Sequence, residues 1–139
     1  DYEMISHYYW WGNSKIFGYM RGKDGKDGYY LVNCEDGSMV IYDDNKLQKY
    51  GDGHPNVHKN LFVTDIYPDR SRTQTLIYGD LNKKKHIVLA HLYNGLKYSG
   101  ESRCDLHPRI SYDGNKVFFD SVNCGKRKLY TMDISNIKH

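Results

Sequence analysis

The chain has 139 residues, roughly the length of one domain, and its 14 tyrosines, 13 glycines and single alanine favour strands and turns over helices. Its net charge of +3 is too small to indicate nucleic-acid binding by itself. A Gly-rich phosphate loop, a His-Glu-x-x-His helix and a nucleophile elbow are all missing, so nucleotide hydrolysis, zinc proteolysis and α/β-hydrolase chemistry have no local support.

Residues 3–52 contain the first group of strand patterns. Short apolar and aromatic runs, separated by glycine, asparagine and aspartate turns, predict strands at 5–10, 16–20, 29–32 and 39–42. Near its start this group carries His7, followed by a turn and the apolar run of the second strand. Four successive antiparallel strands are the pattern of one propeller blade.

Residues 53–102 repeat this arrangement with a second histidine. Strands are predicted near 55–58, 61–66, 75–78 and 87–92. The opening segment reads GHPNVHKNLFVTD, in which His54 and a proline precede a short turn and an apolar run that closes with Asp65. The second group therefore predicts a second blade.

Residues 103–139 form the third group, which is one strand short. Strands are predicted near 106–111, 117–121 and 129–134, and only five residues follow the last of them. The segment RCDLHPRISYDGNKVFFD again places a histidine, His107, and a proline before a turn and an apolar run. We expect the outer strand of this blade to be missing.

The leading histidines of the three groups, His7, His54 and His107, stand 47 and 53 residues apart. A repeat near fifty residues is typical of propeller blades, and a propeller needs about four to eight blades to close. The sequence therefore predicts an all-β fold of about three four-stranded antiparallel blades, one partial domain that is the carboxy-terminal fragment of a larger β-propeller. The alternative is a self-contained β-sandwich of about ten strands.

Open blades expose unpaired strand edges and an apolar blade face, so we expect the isolated chain to self-associate. The cysteines, Cys34, Cys104 and Cys124, are odd in number and far apart, which predicts free thiols rather than a disulfide framework. No apolar stretch approaches 18 residues, so no membrane span is expected. Residues 1–20 lack the pattern of a signal peptide.

Several segments carry a resemblance to a known family. They read GYYLV, DGHP followed by LFVTDIYPD, and SGESRCDLHPRISYDGNKVFFDS. In these the chain resembles bacterial propeller proteins related to oligogalacturonate lyase, and TolB-type periplasmic propellers are more distant relatives. The resemblance implies a bacterial protein of the periplasm or the cytoplasm.

The same resemblance implies cleavage of uronate-containing polysaccharide by β-elimination, with a divalent metal or cationic side chains at the uronate carboxylate. His107 resembles one of the family's metal-binding histidines, and Arg109 stands where the family has a second histidine. Candidate metal ligands are therefore His107 and His54, and candidate ions are Mn²⁺, Ca²⁺ and Zn²⁺.

Side-chain chemistry suggests the other roles. Arginine recognises a carboxylate through two parallel hydrogen bonds and can stabilise the developing enolate charge, which makes Arg103, Arg109 and Arg72 candidate substrate ligands. Tyr98, in a predicted loop, is a candidate platform for a sugar ring.

A neutral histidine is a suitable base for the C5 proton, so His107 and His54 are candidate catalytic bases. Tyr67 is a candidate for protonating the leaving oxygen. Each histidine has an alternative, purely structural role as a hydrogen-bonding bridge between blades, and the aspartates near them are expected to hold turns or orient arginines.

We therefore predict a carbohydrate-active propeller, most readily a lyase for acidic polysaccharide or oligosaccharide, with the isolated chain inactive. One alternative is a non-catalytic TolB-like propeller that binds protein or glycan. Another is a different glycan-active enzyme, a glycoside hydrolase or glycosyltransferase, although the visible sequence offers no clear carboxylate pair for hydrolysis.

Overall fold

The computed structural model describes residues 4–137, apart from the side chains of residues 44 and 45. Within that range the chain forms 11 strands and three short 3-10 helices, and no α-helix. The strands make three separate antiparallel sheets, two of four strands and one of three. This confirms the predicted all-β, bladed architecture. The alternative prediction, a β-sandwich, has two facing sheets and does not match the three stacked sheets observed.

Blade one contains β1 (Ile5–Trp11), β2 (Lys15–Arg21), β3 (Asp27–Asn33) and β4 (Met39–Ile41). The strands are hydrogen-bonded in chain order, so the sheet is a simple meander. Two 3-10 helices, Tyr42–Asn45 and Leu47–Tyr50, then connect the outer strand to the next blade.

Blade two contains β5 (Asn56–His58), β6 (Leu61–Ile66), β7 (Thr73–Asp80) and β8 (Lys85–Tyr93), again in chain order. Nearly every residue of β6 and β7 is buried. Their alternate side chains point to opposite faces, and a neighbouring blade covers each face. Blade two is thus the middle layer of the stack.

Blade three contains β9 (Arg109–Ile110), β10 (Lys116–Ser121) and β11 (Lys128–Asp133), with β10 at the centre. A short 3-10 helix, Gly100–Ser102, precedes it. Strand β9 is shorter than the predicted strand at 106–111 because the backbone turns at His107, whose φ is +40°.

Two apolar cores join the three blades. Phe17 and Tyr29 of blade one pack against Phe62 of blade two, with the rings of Phe17 and Phe62 4.7 Å apart. Val63, on the opposite face of β6 from Phe62, belongs to the second core together with Phe119 of blade three. Burying one such side chain contributes about 1.5–3 kcal/mol, so these contacts fix the blades face to face.

The short inner strands lie side by side, since β5 contacts both β1 and β9. The beginnings of these strands therefore meet at one end of the stack, where His7 lies within β1 and His54 and His107 lie just before β5 and β9. In the part of the chain that the structure describes, no helix has the length and apolar character needed to cross a membrane.

Candidate functional site

His7, His54 and His107 come together although they belong to three different blades. Their rings form one row, which we call the histidine cluster: the ring centroids of His7 and His54 are 4.2 Å apart, and those of His54 and His107 are 4.0 Å apart. The spacing follows from the stacking of the blades, because each histidine occupies the equivalent position before or within its inner strand. Three histidines that are about fifty residues apart in the sequence therefore lie in one site of the folded chain.

A buried carboxylate, that of Asp65, lies beneath the cluster. The residue is 2% exposed and sits on β6. Its oxygens accept hydrogen bonds from the backbone N–H of His54 (2.7 Å), from His54 Nδ1 (2.9 Å) and from the backbone N–H of His107 (3.0 Å). One carboxylate thus connects the segments leading into two blades.

These contacts govern the charge of His54 and Asp65. Burial by itself would lower the pKa of His54, but the hydrogen bond and the negative charge of Asp65 outweigh burial and raise that pKa above its ordinary value. Burial likewise pushes the pKa of Asp65 upward, and its bonds with His54 reverse the direction, so the pKa lies below its ordinary value. Asp65 is therefore ionised at neutral pH.

His107 has a different environment from His54. Burial, and after it the neighbouring His54, lowers the pKa of His107, so its imidazole is neutral around pH 7. His7, at the other end of the row, has Asp52 as its partner, with 3.4 Å between Nδ1 and Oδ1.

Asp105 approaches the cluster from the segment before β9. Arg103 Nε donates to its Oδ2 at 2.8 Å, and the Arg103 guanidinium lies 4.8 Å from the centroid of the Tyr67 ring. The other oxygen, Oδ1, is buried and has no hydrogen-bond partner among residues 4–137. Tyr67 Oη lies 3.4 Å from His54 Nε2, and burial raises the pKa of this hydroxyl.

His54, Asp105 and His107 could together hold a metal ion. One nitrogen of each ring and one oxygen of Asp105 all lie within 4.8 Å of one another. Two imidazoles and a carboxylate suit Zn²⁺ or Mn²⁺, whereas Ca²⁺ prefers a shell of oxygen ligands only. The buried, unpartnered oxygen of Asp105 fits a cation at this position, because an unmet acceptor in the interior is costly.

An open pocket of about 290 Å³ lies over the histidine cluster; we call it the histidine pocket. Besides the three histidines, its walls include Tyr8, Tyr9 and Arg109. Arg109 is exposed, and its Nη1 donates to the carbonyl oxygens of His107 and Pro108. The pocket therefore combines imidazoles, phenol rings and a guanidinium group.

Arg72 and Tyr98 lie together in a different place. Arg72 Nε donates to the carbonyl oxygen of Asn94 at 2.9 Å, and its Nη2 donates to that of Tyr98 at 3.0 Å. The Tyr98 hydroxyl donates to the carbonyl oxygen of Gly125. These bonds tie loops of blades two and three, and neither residue is part of the wall of the histidine pocket.

Sequence reasoning identified the histidines, Tyr67 and Arg109 but gave Asp65 and Asp105 only supporting roles. The signal for Asp105 was its place two residues before His107 in RCDLHPR, close enough to face the same ligand. Asp65 had no comparable signal, since its two partners are 11 and 42 residues away. Only the stacking of blades two and three shows what this carboxylate does.

Comparison with known proteins yields structures but no sequence relatives. No protein-family profile and no curated protein matches the chain. Among solved structures, TolB from Acinetobacter baumannii matches with a TM-score of 0.69 at 17% identity, over 96% of this chain and 30% of that one. A TolB candidate from Agrobacterium tumefaciens matches with a TM-score of 0.60 at 16% identity, over 89% of this chain and 40% of that one.

At these identities the likeness establishes the fold alone. Neither structure is described as a polysaccharide lyase, so the resemblance to oligogalacturonate lyase gains no support from them. The chain spans 30% and 40% of the lengths of the two proteins it matches. It adopts the blade architecture of the TolB β-propellers.

Proposed function

We propose that the chain is part of a TolB-like β-propeller that binds an acidic glycan in the histidine pocket, through a divalent metal ion and Arg109. The proposal rests mainly on the grouping of His54, Asp105 and His107, in which one carboxylate oxygen of Asp105 lies within 4.8 Å of a ring nitrogen of each histidine. Asp105 also has a buried oxygen, Oδ1, that lacks a hydrogen-bond partner within the described residues. A metal ion at this position would supply a positive charge for the carboxylate of a bound uronate.

The other walls of the pocket suit the rest of such a ligand. Arg109 is exposed and can bind a carboxylate with its planar fork of donors. Tyr8 and Tyr9 line the pocket, and a phenol ring from one of these two neighbouring strand residues can pack against a sugar ring. The acidic side chains near the pocket are paired with its wall residues, since Asp52 contacts His7 and Asp65 accepts hydrogen bonds from His54 and His107.

A binding role has better support than a catalytic one. The two solved structures reported above are TolB-type proteins and are not described as lyases. The metal ion in this proposal holds the ligand, and no bond in the ligand needs to break.

Asp105→Asn tests the proposal, with Asp120→Asn as the matched control because Asp120 lies outside the metal cluster. Titration calorimetry with Zn²⁺ and Mn²⁺, followed by oligogalacturonate with and without the metal, measures both binding steps. We expect the wild-type chain and Asp120→Asn to bind metal and then glycan. Asp105→Asn should lose metal affinity by more than the roughly 10–100-fold that follows loss of an outer hydrogen-bond partner.

Two results would contradict the proposal. The first is a wild-type chain that binds neither ion at micromolar concentration. The second is Asp105→Asn with unchanged affinity for metal and glycan. A neutral maltooligosaccharide that binds as well as oligogalacturonate would overturn the preference for acidic glycans.

One observation favours lyase activity as a second candidate. Asp65, His54 and Tyr67 are connected in a line, from the carboxylate through Nδ1 and Nε2 to the hydroxyl, which is a suitable arrangement for moving a proton. In the calorimetry samples, ultraviolet absorbance from an unsaturated uronate would reveal elimination. Loss of that absorbance in Tyr67→Phe, with glycan binding retained, would establish the catalytic role.

A further inference from the structure

Asp65 is not one of the three candidate metal ligands, His54, Asp105 and His107, so its role in the site needs a separate explanation. It is buried on β6, outside the pocket wall, and accepts hydrogen bonds from one ring nitrogen and two backbone amides of His54 and His107, which belong to that wall. We infer that Asp65 is the positioning residue of the site: this single carboxylate selects the tautomer of His54 and holds the backbone of His107, so that both imidazoles present ligand atoms to one point.

Asp65 fixes the tautomer of His54. An ionised carboxylate only accepts hydrogen bonds, so His54 Nδ1, 2.9 Å from Asp65 Oδ1, must carry the proton. In the neutral imidazole the lone pair then lies on Nε2, the nitrogen on the side of Tyr67 Oη. A carboxylate on the far nitrogen of a histidine is the usual device for orienting a metal-binding imidazole.

Asp65 also holds the backbone of His107. Its φ of +40° lies in the left-handed region, which residues other than glycine rarely adopt. The backbone N–H of His107 donates to Asp65 Oδ2 at 3.0 Å, and this bond stabilises the turn that ends before β9. The turn places the His107 ring 4.0 Å from the His54 ring.

The space around Asp65 is tight on the side of Gly53. A Cβ at Gly53 would lie 1.5 Å from the carbonyl oxygen of Asp65, so only glycine lets the segment before His54 pass so close to β6. The close passage is what allows both the amide and the ring of His54 to reach the same carboxylate. The local sequence is therefore suited to a fixed Asp65–His54 contact.

Asp65→Asn tests the inference through two measurements, the tautomer of His54 and the affinity for Zn²⁺. Only the second measurement rests on the proposed metal binding. The asparagine amide can donate to His54 Nδ1, so we expect the proton of the neutral ring to move to Nε2. Nitrogen-15 NMR of the histidine rings, at a pH where they are neutral and without metal, reads the tautomer directly. Calorimetry with Zn²⁺ should show an affinity lowered by roughly 10–100-fold.

Asp105→Asn is the matched control, because it should lose metal affinity and keep the wild-type His54 tautomer. The wild-type chain alone can overturn the inference, because it would be wrong if the neutral His54 ring carried its proton on Nε2. The test therefore does not depend on whether the variant folds. An Asp65→Asn chain with unchanged tautomer and unchanged affinity would also overturn it. If the wild-type chain binds no Zn²⁺ but Asp65→Asn shifts the tautomer, the proposed function fails and the inference about Asp65 stands.

Discussion

Gly53 is required where the segment before β5 passes over the backbone of β6. A Cβ at this position would meet the carbonyl oxygen of Asp65 at 1.5 Å, and backbone atoms cannot move aside as a flexible side chain can. We expect Gly53→Ala to lower the free energy of unfolding by about 1–3 kcal/mol, the usual range for overpacking. It should also displace His54 and weaken metal binding.

Gly95→Ala is the control for this prediction, because the nearest atom to its added Cβ would be 3.7 Å away, an ordinary contact distance. Chemical denaturation of both variants measures the two stabilities. Equal stability of Gly53→Ala and the wild-type chain would show that the close passage over β6 does not exist in solution.

The residues of the candidate site were predictable to different degrees. His54 and His107 could be found because they recur before apolar strands, and Arg109 because it follows His107 in the same motif. The sequence showed Asp65 only as the residue that closes an apolar strand. Its hydrogen bonds to two amides that are distant in the chain leave no recognisable pattern in the neighbouring residues. A hydrogen bond between segments far apart in the chain depends on packing, which the residue types alone do not encode.

Two loops of blades two and three are joined by Arg72, whose guanidinium donates to carbonyl oxygens of Asn94 and Tyr98. Lysine keeps the charge but cannot make these bonds in one plane. We expect Arg72→Lys to destabilise the chain by about 1–3 kcal/mol, because it leaves carbonyl oxygens unmet, and to leave Zn²⁺ affinity unchanged.

Arg70→Lys, at an exposed position two residues earlier, should have little effect on stability. Thermal unfolding and oligogalacturonate titration of both variants separate the possible roles. Normal stability of Arg72→Lys combined with weaker glycan binding would support the substrate-binding role predicted from the sequence.

Strand positions were more predictable than strand ends. β6 (Leu61–Ile66) has the predicted bounds, and β1 (Ile5–Trp11) is longer by one residue. β9 (Arg109–Ile110) is much shorter than its apolar pattern, because the backbone turns at His107 and the amide of His107 donates to Asp65. Alternation of apolar residues reports which residues can pair, and tertiary hydrogen bonds decide which of them do.

The outer face of blade one exposes apolar side chains through which we expect the isolated chain to self-associate. Trp10 on β1 is 52% exposed, whereas the next residue, Trp11, packs against the first core. In a closed β-propeller, the next blade covers a face of this kind. An isolated chain lacks that cover, so another copy can bury the surface.

We therefore expect concentration-dependent oligomers in sedimentation velocity experiments on the wild-type chain, and weaker association for Trp10→Lys. Tyr112→Lys is the control, since Tyr112 is 95% exposed in a loop outside the blade face. If the wild-type chain is a compact monomer at all concentrations, the outer face of blade one does not mediate self-association.

By itself, the sequence determined that the chain is all-β, where most strands lie, and that three histidine-led units repeat. Those properties depend on local alternation and turn residues, which act over a few positions. Tertiary structure alone decided that His7, His54 and His107 meet in one row, that Asp65 is hydrogen-bonded to two of them, and that a carboxylate oxygen of Asp105 lies close to the same two rings. The site lies between blades, so its geometry exists only once the apolar cores have stacked the three sheets face to face.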